Sequence, residues 1–407
     1  MDKKRILFIS QYFYPETFRG NDIAFHWAEM GHDVHVVTGV PNYPKGKFYD
    51  GYGLFKKRKE IVNGVKVTRL PIIPRGNNKI SLMLNYFSYL IVGGIYILFH
   101  AIFNKYDFVF CQQLSPVMMS TPAILYRKLR NVPLITWILD LWPESLTAAG
   151  GVKNKYILSL FRLFVSSEYK NSTLLLTSSR SFRESILEYG DYVDKIVYFP
   201  QWGDGEGLEV KSKIDLPDLP EGFRVMFAGA IGEAHGFECN MRAALLTKEN
   251  KKIKWILLGD GRKLPWVKEF IEKNNLEDTV FTLGRFPAES MPYFFKQADL
   301  MLVSLNDSVL FNLYAPAKIS SYMASEKPIV TCLNGEGREV VEDADCGWCV
   351  KAGDFEALAD VVTKLSTYSK HELEAKGVNG RRYYENHFDK LKCLEKLDIL
   401  CGLSDGN

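Results

Sequence analysis

Short apolar runs alternate with longer stretches whose apolar positions recur every three or four residues, and this rhythm fills most of the 407-residue chain. The runs at 5–10, 34–38, 65–70, 108–112, 134–139 and 174–177 read as strands, with helical patterns between most of them. The first helical pattern ends near Met30, where Gly31 supplies a C-terminal stop. Runs this apolar belong to a parallel sheet covered by helices on both faces. From Pro200 to Gly222 the rhythm is broken by Gly, Pro and charge, and strands at 224–227, 254–258, 280–283, 300–304, 328–332 and 348–350 restart it. The expectation is an α/β chain with a first domain at 1–200, a linker at 201–222, a second domain at 223–369 and a helical segment at 370–407 that can pack back on the first. Two such domains would turn the C-terminal ends of their strands, where open α/β sheets bind ligands, toward a shared cleft.

Composition is that of an ordinary globular protein, 47% hydrophobic and 24% charged, which excludes a disordered or collagen-like chain. A net charge of only +3 argues against a nucleic-acid binder. The distribution is uneven. Residues 1–200 hold 25 Lys and Arg against 15 acidic residues, whereas residues 201–407 hold 26 against 33, so the first half is suited to an anionic surface. Seven scattered cysteines, and an opening Met1-Asp2-Lys3-Lys4-Arg5 that is not a secretory leader, point to reduced thiols in a cytoplasmic protein.

Segment 80–103 carries no Asp, Glu, Lys or Arg in 24 residues, long enough to cross a bilayer at about 20 residues per span. It is flanked by strands of one predicted sheet, which a spanning helix would tear in two. The expectation is therefore a buried helix whose outer face also touches lipid, with the basic run 56–59 as a second anchor on the inner face of an anionic membrane.

The first strand–helix turn contains only Gly20 where a dinucleotide site needs G-x-G-x-x-G, and no P-loop occurs. Asp343-Ala-Asp345 could hold a divalent cation but reads as a solvated turn, and Cys346-Gly-Trp-Cys349 lacks the strand–helix context of a redox pair. Three clusters stand out. Gly229-Ala-Ile231-Gly232 follows a strand and precedes a helix, so its amides could face an anion. Gly259-Asp260-Gly261 ends the next strand in a tight turn. Pro316-Ala-Lys318 opens a helix with a cation where the dipole prefers an anion, which makes sense if Lys318 faces a diphosphate.

These clusters, together with Gln11-Tyr-Phe-Tyr-Pro-Glu16, the stretch 31–39, Pro41-Asn42-Tyr43-Pro-Lys-Gly46, Asp140-Leu-Trp-Pro-Glu144-Ser145, Gly284-Arg285-Phe286-Pro287 and Lys327-Pro328, resemble GT-B-fold, GT4-type glycosyltransferases along essentially the whole chain. The nearest group is that of bacterial L-N-acetylfucosamine transferases of O-antigen and capsule assembly. The resemblance implies two Rossmann-like domains facing each other across a cleft. It implies transfer from a UDP-sugar to a polyprenyl-diphosphate-linked saccharide, with retention and without a metal or other cofactor. Two departures are plain. The Glu-x7-Glu pair of most GT4 enzymes is replaced by Leu313 and Ser321, and the arginine of the glycine loop by Ala230-Ile231.

On that resemblance the donor site comprises Gly229, Ile231, Gly232, Gly259, Asp260, Arg285, Phe286, Asn306, Pro316, Lys318 and Ser321. The acceptor side comprises Glu16, Arg19, Gly20, Asn42 and Tyr43. Catalysis falls to Lys318, which faces the leaving diphosphate, with Asp140 at the end of the fifth predicted strand and Glu144 orienting the acceptor; Asp140 also reads as a helix N-cap. A UDP-sugar 2-epimerase and a non-catalytic sugar- or lipid-binding protein are the alternatives.

Overall fold

The structure, a computed structural model, describes residues 2–150, 152–203 and 216–404, with the backbone alone at 148–150. Most of the expected linker lies outside the described residues. Contacts divide the chain into two compact units, one formed by residues up to 200 together with those from 394 on, the other by residues 201–393.

The first unit is built on strands β1 (Arg5–Ile9), β2 (Asp33–Gly39), β3 (Lys59–Val62), β4 (Val65–Leu70), β5 (Phe108–Gln113), β6 (Leu134–Ile138), β7 (Leu174–Thr177) and β8 (Ile196–Tyr198), in the order β3-β4-β2-β1-β5-β6-β7-β8. All pairings are parallel except β3 with β4, which is antiparallel. β1, β5 and β6 are almost wholly buried, as the uninterrupted apolar runs require. β3 and β8 were not expected from sequence. With β3 counted, Asp140 follows the sixth strand rather than the fifth.

The helix Lys79–Phe103 connects β4 and β5, which belong to the same sheet, so it is a crossover. Asn78 caps it by accepting from the Ser81 amide. Only one stripe is buried: Asn85, Tyr89, Gly93, Ile97 and Ala101, every fourth residue. Gly93 lets the helix lie against Pro122, which a Cβ would crowd at 2.8 Å. Ile91, Ile95, Phe99 and Phe103 are among the large apolar residues left on the outside. The helix is thus far less buried than its apolar sequence suggested, because the helix Thr121–Arg130, the turn Val117–Ser120 before it and β4 cover one stripe only.

The second unit carries β9 (Phe223–Ala228), β10 (Ile253–Leu258), β11 (Val280–Gly284), β12 (Leu300–Ser304), β13 (Ile329–Cys332) and β14 (Gly347–Val350), in the order β11-β10-β9-β12-β13-β14 and parallel throughout. Its strands separate two apolar clusters, one around Phe227, Trp255 and Leu302, the other around Met226, Ile256 and Tyr322. The order reverses beside β9, so the β9 turn and the helix before β13 meet at the switch point where such sheets take ligands.

Candidate active site

In the second unit the turns after β9 and β10 lie back to back. The Gly229 amide donates to the Leu258 carbonyl at 2.9 Å and the Ile231 amide to the Asp260 carbonyl at 2.9 Å. Gly259 has φ +141, and a Cβ there would run into the Gly229 carbonyl oxygen; one at Gly261 would run into that of Ile231. Glycine is therefore required at both positions for two backbones to touch. Two loop amides, Gly229 and Ile231, are consumed by this packing, and the Ile231 side chain is fully buried. Only the Ala230 and Gly232 amides make no backbone hydrogen bond among the described residues, which corrects the expectation of a four-amide cradle.

A cavity of about 490 Å³ opens over this turn pair, lined by Gly229, Gly259, Asp260, Arg285 and Phe286 among others. Asp260 accepts from the Gly261 amide at 2.7 Å. Asn306 is outside the cavity and braces the loop, its Nδ2 donating to the Glu233 carbonyl at 2.5 Å. Ser321 bonds back to the Ala317 carbonyl within its own helix.

Lys318 reaches the same loop from the helix Ala317–Ala324, with Pro316 at its N-cap. Its Nζ would be 3.1 Å from a Cβ at Gly229, lies 3.8 Å from the Phe227 ring centroid and is buried without a hydrogen-bond partner among the described residues. Burial pulls its pKa down to about 7. The helix is pinned one turn later by Tyr322, whose hydroxyl both donates to the Ala228 carbonyl at 3.1 Å and accepts from the Ala228 amide at 3.0 Å. Lys318 and Tyr322 share a helix face at i,i+4, so the pin sets where the amine points. His235, on the 3₁₀ turn Glu233–His235, presents a buried Nδ1 that makes no hydrogen bond among the described residues, and burial and then Lys318 lower its pKa to about 4.

In the first unit Glu16 is buried and spent on backbone. Its carboxylate accepts from the amides of Asn42 at 2.7 Å, Tyr43 at 2.6 Å and Phe13 at 3.3 Å. It shapes the loop that carries Tyr43 and leaves little for a ligand. Burial pushes its pKa up to about 7, opposed by those amides. Gly20 is explained by packing, because a Cβ there would run into Gln112 as the helix Arg19–Glu29 starts close to the sheet. Tyr12 stacks on Phe18, and Tyr43 packs tilted against both, at 5.3–5.6 Å between centroids. Asp140 accepts from the Ser115 hydroxyl at 2.8 Å, and Trp142 Nε1 donates to Ser115 at 3.1 Å. Burial raises the Asp140 pKa. Glu144 is raised too, by burial, with Glu188 adding repulsion and Arg162 opposing it. Glu144 thus answers to a different neighbourhood from Asp140.

Asp345, half of the D-x-D, pairs with Lys376 and accepts from Asn379 at 3.1 Å. Among the described residues no group of three or more His, Cys, Asp or Glu side chains is placed to hold a metal ion.

Residues 222–367 match the family Glycosyl transferases group 1. Across almost the whole chain, the colanic acid biosynthesis glycosyl transferase WcaI of Escherichia coli (strain K12) is 23% identical over 393 residues, 91% of each chain. Sucrose-phosphate synthase from Thermosynechococcus elongatus superposes with a TM-score of 0.75 at 14% identity, covering 98% of both chains. Anabaena Alr3699/HepE, solved with UDP and glucose, gives a TM-score of 0.68 at 15% identity over 98% of this chain and 99% of its own. The second unit matches glycosyltransferases of group 1, and the fold is that of GT-B glycosyltransferases.

The group 1 match spans the turn pair, Lys318 and Tyr322 together. Sequence reasoning missed Tyr322, since a tyrosine at helical spacing reads as core; its bonds to Ala228 lie 94 residues away in sequence. It also missed Ser115, whose hydroxyl reaches Asp140 from 25 residues away in sequence.

Proposed function

We propose that the enzyme moves a sugar, with N-acetyl-L-fucosamine as the first candidate, from UDP to a polyprenyl-diphosphate-linked saccharide in surface polysaccharide assembly, with retention of configuration and no metal. The observation that carries this reading is the unpartnered Lys318 amine beside the Gly229 turn and its cavity. The UDP in the Anabaena structure and the colanic acid pathway named for the Escherichia coli relative support donor and product class.

As the bond from the anomeric carbon to the diphosphate breaks, negative charge grows on the leaving oxygens. Lys318 and the free amides of Ala230 and Gly232 are fixed donors for that charge, and donors aimed at developing charge lower the barrier. The acceptor oxygen bonds to the anomeric carbon on the face the diphosphate leaves, and its proton passes to a departing phosphate oxygen. Asp140, held by Ser115, orients the acceptor hydroxyl. Lys318 supplies the positive charge a cation would otherwise bring.

The enzyme works at a membrane in this reading. The apolar outer face of Lys79–Phe103 and the basic run 56–59 meet the cytoplasmic leaflet, where the lipid-linked acceptor resides. Incubation with a panel of UDP-sugars, with and without polyprenyl-diphosphate saccharides and with EDTA throughout, tests the proposal. Acceptor-dependent UDP release in EDTA is expected. Sugar interconversion without acceptor would indicate an epimerase, and neither outcome a binding protein.

A further inference from the structure

We infer that Arg75 binds the phosphate of the acceptor substrate, at the head of a helix whose outer face is apolar. The inference rests on transfer to a lipid-linked saccharide as proposed above, and adds the residue and the charge that recognise it.

Arg75 is half-buried, and among the described residues no carboxylate lies within ion-pair distance of it. Its Nη1 donates to the Tyr12 hydroxyl at 3.3 Å, and its guanidinium carbon lies 5.3 Å from the centroid of Tyr43. Tyr86, from the helix Lys79–Phe103, is close enough to feel its charge. The groups described around the guanidinium are the phenols of Tyr12, Tyr43 and Tyr86, and burial pushes Tyr12 and Tyr86 upward, so both stay neutral. A half-buried cation with no counter-ion is costly unless an anion visits. A guanidinium fork suits phosphate, which it can hold through two parallel hydrogen bonds.

The position is built rather than incidental. The Arg75 amide donates to Asn42 Oδ1 at 2.9 Å, and Asn42 is itself held by Glu16. Two residues earlier, the Ile73 carbonyl accepts from Asn85 Nδ2 at 2.6 Å, and Asn85 in turn accepts from Gln11. These bonds fix the backbone on both sides and leave most of the guanidinium donors unused.

The surroundings fit a phosphate joined to a lipid. Asn78 caps the helix three residues after Arg75, and Ile80, Met83, Leu84 and Phe87 are exposed along its first turns. Charge followed by an apolar track is the order of groups in a lipid diphosphate. Tyr86 feels the charges of both Arg75 and Asp140.

The test titrates the full chain, saturated with UDP to fill the donor site, with octyl diphosphate, octanol and dihexanoylphosphatidylglycerol. Arg75→Gln is expected to weaken octyl diphosphate at least about tenfold and Arg75→Lys about threefold, as loss of a charge-assisted hydrogen bond does. UDP and octanol binding should stay within about twofold in both variants, because those ligands do not need the guanidinium. Unchanged octyl diphosphate affinity in Arg75→Gln overturns the inference. So does parallel loss of octanol and UDP binding, which would mark a structural role, and so does equal affinity for the phospholipid, which would mark a membrane headgroup site. If Arg75→Gln does not fold, Arg75→Lys with its melting curve decides alone. Wild-type protein that fails to bind UDP would instead contradict the nucleotide-sugar reading, and the two failures are told apart by that control.

Discussion

The Lys318 amine lies 3.8 Å from the centre of the Phe227 ring and has no hydrogen-bond partner among the described residues. A ring face is a weak substitute for water around an ammonium. The free enzyme therefore carries an unfavourable group where the transferred sugar's diphosphate would sit, and that cost should be visible in stability.

Replacing Lys318 with Met keeps the stem and removes the buried amine. We expect the ligand-free protein to gain about 1–2 kcal/mol, as removal of a strained functional group commonly does, while turnover falls. Urea unfolding and a transfer assay on the same preparation check this. A variant both less stable and less active would make Lys318 an ordinary structural residue. The pH dependence is part of the same test. The folded pKa of about 7 lies below the ordinary lysine value, so the unfolded chain binds more protons between them, and stability from this group rises with pH from about 7 to about 10.5. The Lys318→Met protein should lack that rise.

Nucleotide binding should show the opposite slope. Only the protonated amine neutralises a diphosphate, and a free-enzyme pKa of about 7 means the competent form is lost as pH rises above it. UDP affinity should fall by about threefold to tenfold in total between pH 7 and 9, the share of the Lys318 charge that acts in the ground state. His235, held down to about 4, does not titrate in that window. Calorimetric titration across the range, with Lys318→Ala as a flat control, measures it.

Gly259→Ala is expected to be severe. A Cβ there meets the Gly229 carbonyl oxygen, and φ +141 is strained for any side chain, so the turns must part at a cost of about 2 kcal/mol or more. UDP affinity and melting temperature should both drop. Alanine at Gly353, which also has positive φ but open space around it, should leave UDP affinity unchanged.

The strands most legible in the sequence are the central ones with both faces covered, since burial on two sides demands an unbroken apolar run, and the edge strands β11 and β14 were legible through the regular alternation around them. β3 escaped because it is an antiparallel edge of half-exposed residues, and its Lys59 had been grouped with a charged patch. β8 escaped because three residues carry no period. The turn glycines were readable as an anion cradle, but not that the Gly229 and Ile231 amides pay for the packing of two backbones. Glu16 was expected on the acceptor side from the resemblance alone; its three amide donors come from loops that only the fold brings together. The meaning of Arg75 lies in the absence of an acid beside it, which no local pattern records.

At a membrane, each Lys or Arg near an anionic leaflet contributes about 1 kcal/mol, screened within a Debye length. The enzyme should sediment with anionic vesicles at low salt and be largely released at high salt. The pair Ile91→Glu and Leu98→Glu, both on the exposed face, should weaken binding at low salt without changing UDP affinity. Retention at all salt concentrations, or no binding to anionic vesicles, would contradict the peripheral arrangement.

The most direct measurement compares kcat/KM for a UDP-sugar with the Kd for UDP in wild type and Lys318→Ala. A cation aimed at the leaving diphosphate acts mainly as charge develops, so the account predicts a fall in kcat/KM of about a hundredfold or more, with UDP affinity reduced several times less. Equal losses in the two quantities, or near-normal turnover, would contradict it.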